Sequence, residues 1–511
     1  MLARVHSCAL LGIDAYPLAV EVDHTPGTES FNVVGLPDTG IKESKDRVRA
    51  ALKNSGFRWP FGHMLVNLAP ADIRKEGSSL DLAIALGVLG ATEQNNGALF
   101  GQYAVIGELG LDGSLRSVPG VLSIAINARD RELRGIIVPE ANAAEAGTVR
   151  GIEVIPVSNL DEAAAFMSGK KKIRPFVTDI EAVFREGRAA TLDLTEVKGQ
   201  AHVKRALTVA AAGGHNMLMI GPPGTGKTML ASRLPGILPD MTFEEALDTT
   251  RIYSVAQMTN ARNALIVRRP FRSPHHTAST VAICGGGGGM QPNPGEVSLA
   301  HNGVLFLDEL PEFNRSALEV LRQPLEEGLV HVRRAMYSVT FPSRFMLIVA
   351  MNPCPCGCRT DPRRQCRCTM GEIQRYMSRL SGPLLDRIDL HIDVPALRFE
   401  EIADDRPSGP TTAEVRSLVQ ETRNRQRHRY GGKYACNAHL DTKAVRTHCV
   451  TTPGAKSLLE NAINQLGFSA RAYDKVLRVA RTLADLECVE TISENHVSEA
   501  VQYRSLDREL F

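Results

Sequence analysis

The segment Gly221-Pro222-Pro223-Gly224-Thr225-Gly226-Lys227-Thr228 fits the pattern G-x-x-x-x-G-K-[ST]. Its glycines let a backbone wrap phosphate oxygens closely, and its lysine brings a point charge to the outer phosphates. It follows the apolar run 217–220 and precedes a helix-competent stretch, so its N–H groups fall where a buried strand passes into a helix N-terminus. ATP is the expected ligand, with the Thr228 hydroxyl on Mg²⁺. Farther along, Gly303-Val304-Leu305-Phe306-Leu307-Asp308-Glu309 reads as an apolar strand ending in two acids. Asp308 can hold the same Mg²⁺, directly or through water, and Glu309 can polarise the water that attacks the γ-phosphate. A Gly-rich turn or a solvated strand end would explain either segment alone. The two in order, each tied to a strand, imply hydrolysis as well as binding.

A second cluster is made of thiols. Cys354-Pro355-Cys356 and Cys366-Arg367-Cys368 form two C-x-C pairs that could surround one structural Zn²⁺ in a knuckle over 354–368. C-x-C is tighter than the usual C-x-x-C, and Cys358 is a fifth candidate, so spacing leaves the ligand set open, with reduced loop thiols as the alternative.

These residues need elements to position them. A chain of 511 residues exceeds what one core usually holds, and about three domains are expected. Residues 1–168 alternate short apolar runs with turns and include the helix-like stretch 80–91, an α+β or α/β pattern. Residues 169–192, with Gly169-Lys170-Lys171-Lys172 and Pro175, read as a linker. From 193 to 395 the runs 217–220, 304–307 and 345–351 predict parallel strands covered on both faces. Between the first two lies an insertion carrying Cys284, a loop Gly285 to Gly289, Pro292 and Pro294. Residues 396–511 turn to helical spacing, a helical lid.

The net charge is +2, from 59 basic and 57 acidic residues, so any nucleic-acid contact must be local. The run from Met1 to Val20 is interrupted by Asp14, and nowhere does an apolar run reach the ~20 residues a membrane span needs. With clustered thiols that do not suit a disulfide scaffold, a cytoplasmic protein without membrane contact is expected.

Three further segments resemble the magnesium-chelatase-like AAA+ ATPases, and in particular the ComM/YifB family. They are Pro294-Gly295-Glu296-Val297-Ser298-Leu299-Ala300-His301-Asn302-Gly303, then Val349-Ala350-Met351-Asn352-Pro353, then Ser381-Gly382-Pro383-Leu384-Leu385-Asp386-Arg387-Ile388-Asp389-Leu390. The resemblance covers nearly the whole chain. It implies an α/β AAA+ P-loop domain with a helical lid, preceded by a Lon-protease-like α+β domain. It makes Asn352 the residue that senses the γ-phosphate and Arg387 an arginine finger reaching the ATP of a neighbouring subunit, which requires a ring, a hexamer. Ser469-Ala470-Arg471-Ala472 resembles the second sensor motif and would set Arg471 against the phosphates.

The Lon-like likeness rests on Lys75-Glu76-Gly77-Ser78-Ser79-Leu80-Asp81-Leu82, with Ser79 at the position of the protease nucleophile. The position of the lysine base carries Leu122, and neither leucine nor the nearby Arg116 can accept a proton from a serine. Peptidase activity is therefore not expected, and Lys75 reads as a solvated loop lysine.

Arg268-Arg269, Arg272 and Arg333-Arg334, around the insertion and a hairpin, are candidates for phosphate contacts, whereas Arg423, Arg425, Arg427 and Arg429 read as a solvated helix face. The family resemblance implies an ATP-driven motor or helicase on single-stranded or branched DNA, performing branch migration in natural transformation and recombination. The alternative is a metal-insertion or protein-remodelling ATPase like the chelatase subunit.

Overall fold

The first two strands carry consecutive buried residues, Ser7–Ala9 and Leu18–Val20, so a sheet built on them is covered on both faces there. In the computed structural model, which describes residues 2–71, 74–75, 77–187, 192–260, 263–287, 292–333, 338–398, 400–401, 409–466 and 469–504, β1 (Leu2–Leu11) and β2 (Asp14–Thr25) form a hairpin paired from Leu2↔Asp23 to Leu11↔Asp14. β3 (Ser30–Val34), β4 (His63–Ala69), β5 (Tyr103–Val105), the small pair β6 (Glu108–Leu109) with β7 (Leu115–Arg116), β8 (Gly135–Pro139) and β9 (Glu153–Val157) follow. Seven of them make a mixed sheet in the order β3-β4-β2-β1-β5-β8-β9. The helix Asp81–Ala91 is apolar on every side and buried at each residue, because it packs between the β1–β2 hairpin and its neighbouring helices.

The second sheet carries the chemistry. β10 (Met217–Ile220), β11 (Phe271–Arg272), β12 (Val304–Leu307), β15 (Met346–Met351) and β16 (Leu390–Asp393) are parallel, in the order β11-β12-β15-β10-β16. Helices cover both faces, so β10, β12 and β15 are buried at every position, as their unbroken apolar sequence requires. Sequence reading finds these three; β11 and β16 are missed, because a strand of two residues and one reading Leu-His-Ile-Asp give no apolar run. β13 (Leu329–Arg333) and β14 (Ser338–Pro342) form a separate antiparallel hairpin.

The N-terminal sheet reaches this domain through the turn between β1 and β2. Ile13 is buried in the same apolar cluster as Leu218, Leu305 and Val339. Gly12, at φ +63, lies so close to Val339 that a Cβ there would sit 2.1 Å from its Cγ1. Arg251 adds hydrogen bonds to Ile13 O and to the Asp14 carboxylate.

The stretch expected as a linker contains the helix Ile180–Gly187, whose Ile180, Val183 and Phe184 pack on Met241 and Leu265. The helices Thr412–Tyr430, Thr442–His448, Pro453–Leu466, Ala470–Leu486 and Glu494–Gln502 close the chain. They join the core through the buried carboxylate of Asp389, next to β16, which faces Lys475 and His215 and accepts from Asn216 N. Among the described residues no helix is long and apolar enough to cross a membrane.

Candidate functional site

β10 is the second strand from one edge of its sheet, and the chain leaves its C-terminal end as the loop 221–226 before entering the helix Lys227–Ile237. Ligand sites of open parallel sheets form at these strand ends. Gly221 passes so near the chain after β16 that a Cβ would lie 2.2 Å from Val394 O. Gly224 and Gly226 hold φ of +80 and +83, and a Cβ on either would meet nothing within 4 Å. The loop therefore opens outward, with room for phosphates against its N–H groups.

Lys227 is 8% exposed and folds back into the loop. Its Nζ donates to Gly221 O at 2.6 Å, Pro222 O at 2.8 Å and Asn352 Oδ1 at 3.3 Å. Burial lowers its pKa, while the Asp308 and Glu309 carboxylates oppose that shift. Thr225 Oγ1 donates to Pro222 O and tightens the turn. Thr228 Oγ1 donates to Asp308 Oδ2 at 2.6 Å, so the hydroxyl and carboxylate expected on Mg²⁺ already share one point. Glu309 follows in the left-handed region, φ +53, with its N–H on Asp308 Oδ1. The Glu309 side chain is half exposed, with its Oε2 3.6 Å from His276 Nδ1. Asn352 directly follows β15, the strand between β10 and β12, which is how it meets Lys227.

Arg387 and Arg471 lie elsewhere. They line a separate cavity of about 560 Å³ together with Glu326, Arg344 and Asp386, and no residue of the 221–228 loop lines it. Arg387 is ion-paired with Glu326, and Arg471 Nη1 sits 3.9 Å from Asp386 Oδ2. Burial, then the charges of Arg471 and Arg322, push down the Arg387 pKa. The expectation that Arg471 sits against the phosphates is therefore not met within one chain: its helix is tied beside Arg387, where Lys475 reaches Ile388 O and Asp389, in a cavity the loop does not line.

Most of the other arginines are structural. Arg269, with a side chain 10% exposed, donates to Pro239 O, Asn302 O and Asp240 O and pairs with Glu245 at 2.9 Å. Arg272 chelates Glu296 at 2.6 and 2.7 Å, and Arg268 donates to Gly187 O. For Arg269 and Arg272 these replace the phosphate contacts expected of them, whereas Arg268 stays exposed. Arg333 is exposed at the end of β13, while Arg334 lies outside the described residues. Nor is the 423–429 run a solvated face. Arg423 is buried on Ala211 O, Arg425 reaches Asp485 O, and Arg429 grips the Asp485 carboxylate, because the helix Thr412–Tyr430 is packed between neighbours. Lys75 is likewise buried, with its Nζ on Pro70 O, which corrects its reading as a solvated lysine.

Cys354, Cys356, Cys366 and Cys368 converge, their sulfurs all within 4.8 Å of one another, which could hold a metal ion. Sequence reasoning misses Gln200, His276, Glu326 and Asp386. Gln200, at φ +53, donates to Thr225 O at 2.8 Å and leaves its buried Oε1 without a protein partner beside the loop. Only the dipeptide Gly199-Gln200 ahead of a helix hints at it; His276 and Glu326 carry no local signal, and Asp386 lies in the segment Ser381–Leu390 without a role read for it.

Family profiles agree with this geometry. "Magnesium chelatase, subunit ChlI" matches residues 193–402, "Subunit ChlI of Mg-chelatase" matches 20–142, and "Magnesium chelatase, subunit ChlI C-terminal" matches 409–504. The competence protein ComM of Haemophilus influenzae is 45% identical over 510 residues, covering 99% of this chain and 98% of its own. The uncharacterized protein YifB of Salmonella typhimurium is 44% identical over 508 residues, again covering 99% and 98%. The magnesium-chelatase subunit ChlI of Cyanidium caldarium is 25% identical over 231 residues, 41% of this chain and 59% of its own. Identity at this level along nearly the full length shows that the chain belongs to the ComM/YifB family of magnesium-chelatase-like AAA+ proteins.

Proposed function

We propose that the protein is a ring-forming, ATP-driven DNA motor that hydrolyses MgATP at Lys227, Thr228, Asp308 and Glu309 and migrates single strands or branched junctions in natural transformation and recombination. The observation that carries the hydrolytic part is the convergence of Lys227 with Asn352 and of Thr228 with Asp308 on an open glycine loop. In the reaction, Mg²⁺ supplies charge neutralisation to the phosphates. Lys227 exchanges its loop carbonyls for phosphate oxygens, Thr228 and Asp308 would hold the ion, Glu309 takes the proton of the attacking water, and Asn352 orients that water.

Arg387 and Arg471 share a cavity of mixed charge remote from their own P-loop, which supports a role on the ATP of the next subunit, most simply in a hexamer. Equimolar Lys227→Ala and Arg387→Ala chains, each inactive alone, then regain part of the hydrolysis when mixed, because some interfaces pair an intact loop with an intact arginine. No recovery would refute action in trans.

The DNA reading leans on the 45% identity to a competence protein and on the hairpin β13–β14, whose outward positions carry His331 and the exposed Arg333. Its test is strand separation on forked duplexes and synthetic junctions with ATP, against Lys227→Ala. The first domain supports a Lon-like scaffold rather than a peptidase, since Leu122 is wholly buried and Lys75 is spent on a carbonyl. The ten thiols, all unpaired, suit work in the reducing cytoplasm. A metal-insertion or protein-remodelling motor is the second reading, favoured by the chelatase profiles, and becomes preferred if no DNA responds.

A further inference from the structure

The four converging cysteines have the spacing of a coordination sphere. Cys354 Sγ lies 3.4 Å from Cys356 Sγ and 3.7 Å from Cys366 Sγ, and the latter two are 3.7 Å apart. Zn–S bonds of ~2.3 Å in a tetrahedron put sulfurs about 3.8 Å from one another. Cys358 is not a member, since its Sγ turns to Cys356 O. Arg359, Arg363, Arg364 and Arg367 in the same loop offset the dianion that a divalent ion and four thiolates make.

This loop also builds one wall of the nucleotide site. It starts two residues after Asn352, and Gly357, at φ +77, turns directly against the P-loop. A Cβ there would lie 2.6 Å from Pro223 Cδ and 3.8 Å from Asn352 Cγ. The turn is closed by Gly357 N on Cys354 O at 3.0 Å, within the proposed ligand set. We propose that Cys354, Cys356, Cys366 and Cys368 hold one Zn²⁺, and that this centre seats Pro223 and Asn352 so that nucleotide affinity depends on the metal. The coupling rests on the ATP reading above. On binding, Zn²⁺ displaces the thiol protons to solvent.

The test uses the full-length protein, with zinc counted by elemental mass spectrometry and a fluorescent ATP analogue titrated in excess Mg²⁺. One zinc per chain is expected, lost in the Cys354→Ser/Cys366→Ser double variant and kept in Cys488→Ser, which changes an exposed thiol outside the cluster. Stripping zinc from wild-type protein with a mercurial and then thiol should weaken the analogue about 10-fold or more, and returning zinc should restore it. Gly357→Ala leaves all four thiols in place, so it should keep its zinc and still lose affinity. Absence of zinc from protein purified without chelator would overturn the site. Unchanged affinity after stripping, with far-ultraviolet circular dichroism also unchanged, would overturn the coupling alone. Wild-type protein that holds zinc but binds no nucleotide would instead sink the ATP reading and the coupling with it.

Discussion

Replacing Glu309 with glutamine separates hydrolysis from binding. The carboxylate is half exposed at a side-chain accessibility of 54%, so its neutral isostere leaves neither a cavity nor a buried unpaired charge. The contacts that would hold MgATP do not run through it: Thr228 keeps Asp308 at 2.6 Å, Lys227 keeps Gly221 O, Pro222 O and Asn352, and the bond from Glu309 N to Asp308 Oδ1 is made by the backbone. What disappears is the proton acceptor. A positioned general base contributes roughly 10²–10⁴-fold, about 3 to 5 kcal/mol of barrier. Glu309→Gln should therefore lower kcat by that factor while the affinity for a fluorescent ATP analogue stays at the wild-type value. Single-turnover hydrolysis and equilibrium titration, run on the same preparation, read the two quantities. Hydrolysis at the wild-type rate, or a loss of binding that parallels the loss of turnover, would refute the role given to Glu309.

Other expectations concern stability and the metal. Removing Mg²⁺ with a chelator should abolish hydrolysis, and Thr228→Ala should raise the Mg²⁺ concentration needed for half-maximal rate; an unchanged requirement would exclude Thr228 as a ligand. Asp485 is 1% exposed and holds Arg429, Arg481 and Asn437, so Asp485→Ala should cost about 3–5 kcal/mol and be visible as a lower urea midpoint. His301 accepts the Arg344 N–H at Nδ1, and burial, with Arg344, holds its pKa down to about 4. Because the unfolded imidazole takes up a proton near pH 6.5 and the folded one does not, stability falls as pH drops through that window. Between pH 7 and 5 this should remove about 2 kcal/mol that His301→Gln does not lose, as denaturant titrations at both values would measure. Gly12→Val should push the β1–β2 turn off Val339 at a cost of about 1–3 kcal/mol, read as earlier melting of the interface between the two sheets.

The parts of the site legible in the sequence are those whose function forces a local pattern. A buried parallel strand must be apolar throughout, and a phosphate loop must alternate glycines with a lysine and a hydroxyl, so β10, β12, β15 and the residues 221–228 stand out. The four cysteines are legible for the same reason, although only the folded loop decides between Cys358 and the others. Arginine is the opposite case. Arg269, Arg272 and Arg423 look like phosphate or solvent contacts in a one-dimensional reading, yet each is consumed by a carboxylate or carbonyl brought from far along the chain. Lys75 misleads in the same way. Residues that assist the site from other elements, Gln200 at Thr225 O and His276 beside Glu309, depend on tertiary contacts of 25 and more residues' separation and leave no trace in spacing.

The central claim is that one P-loop hydrolyses ATP and that the work is done on DNA. Its most direct test is the steady-state ATPase rate with and without single-stranded and forked DNA, with Lys227→Ala as the blank. A rate that rises with DNA and vanishes in Lys227→Ala is the predicted result. Robust hydrolysis that no DNA alters would contradict the DNA motor and favour a remodelling or metal-insertion role, and absence of hydrolysis under every condition would contradict the site itself.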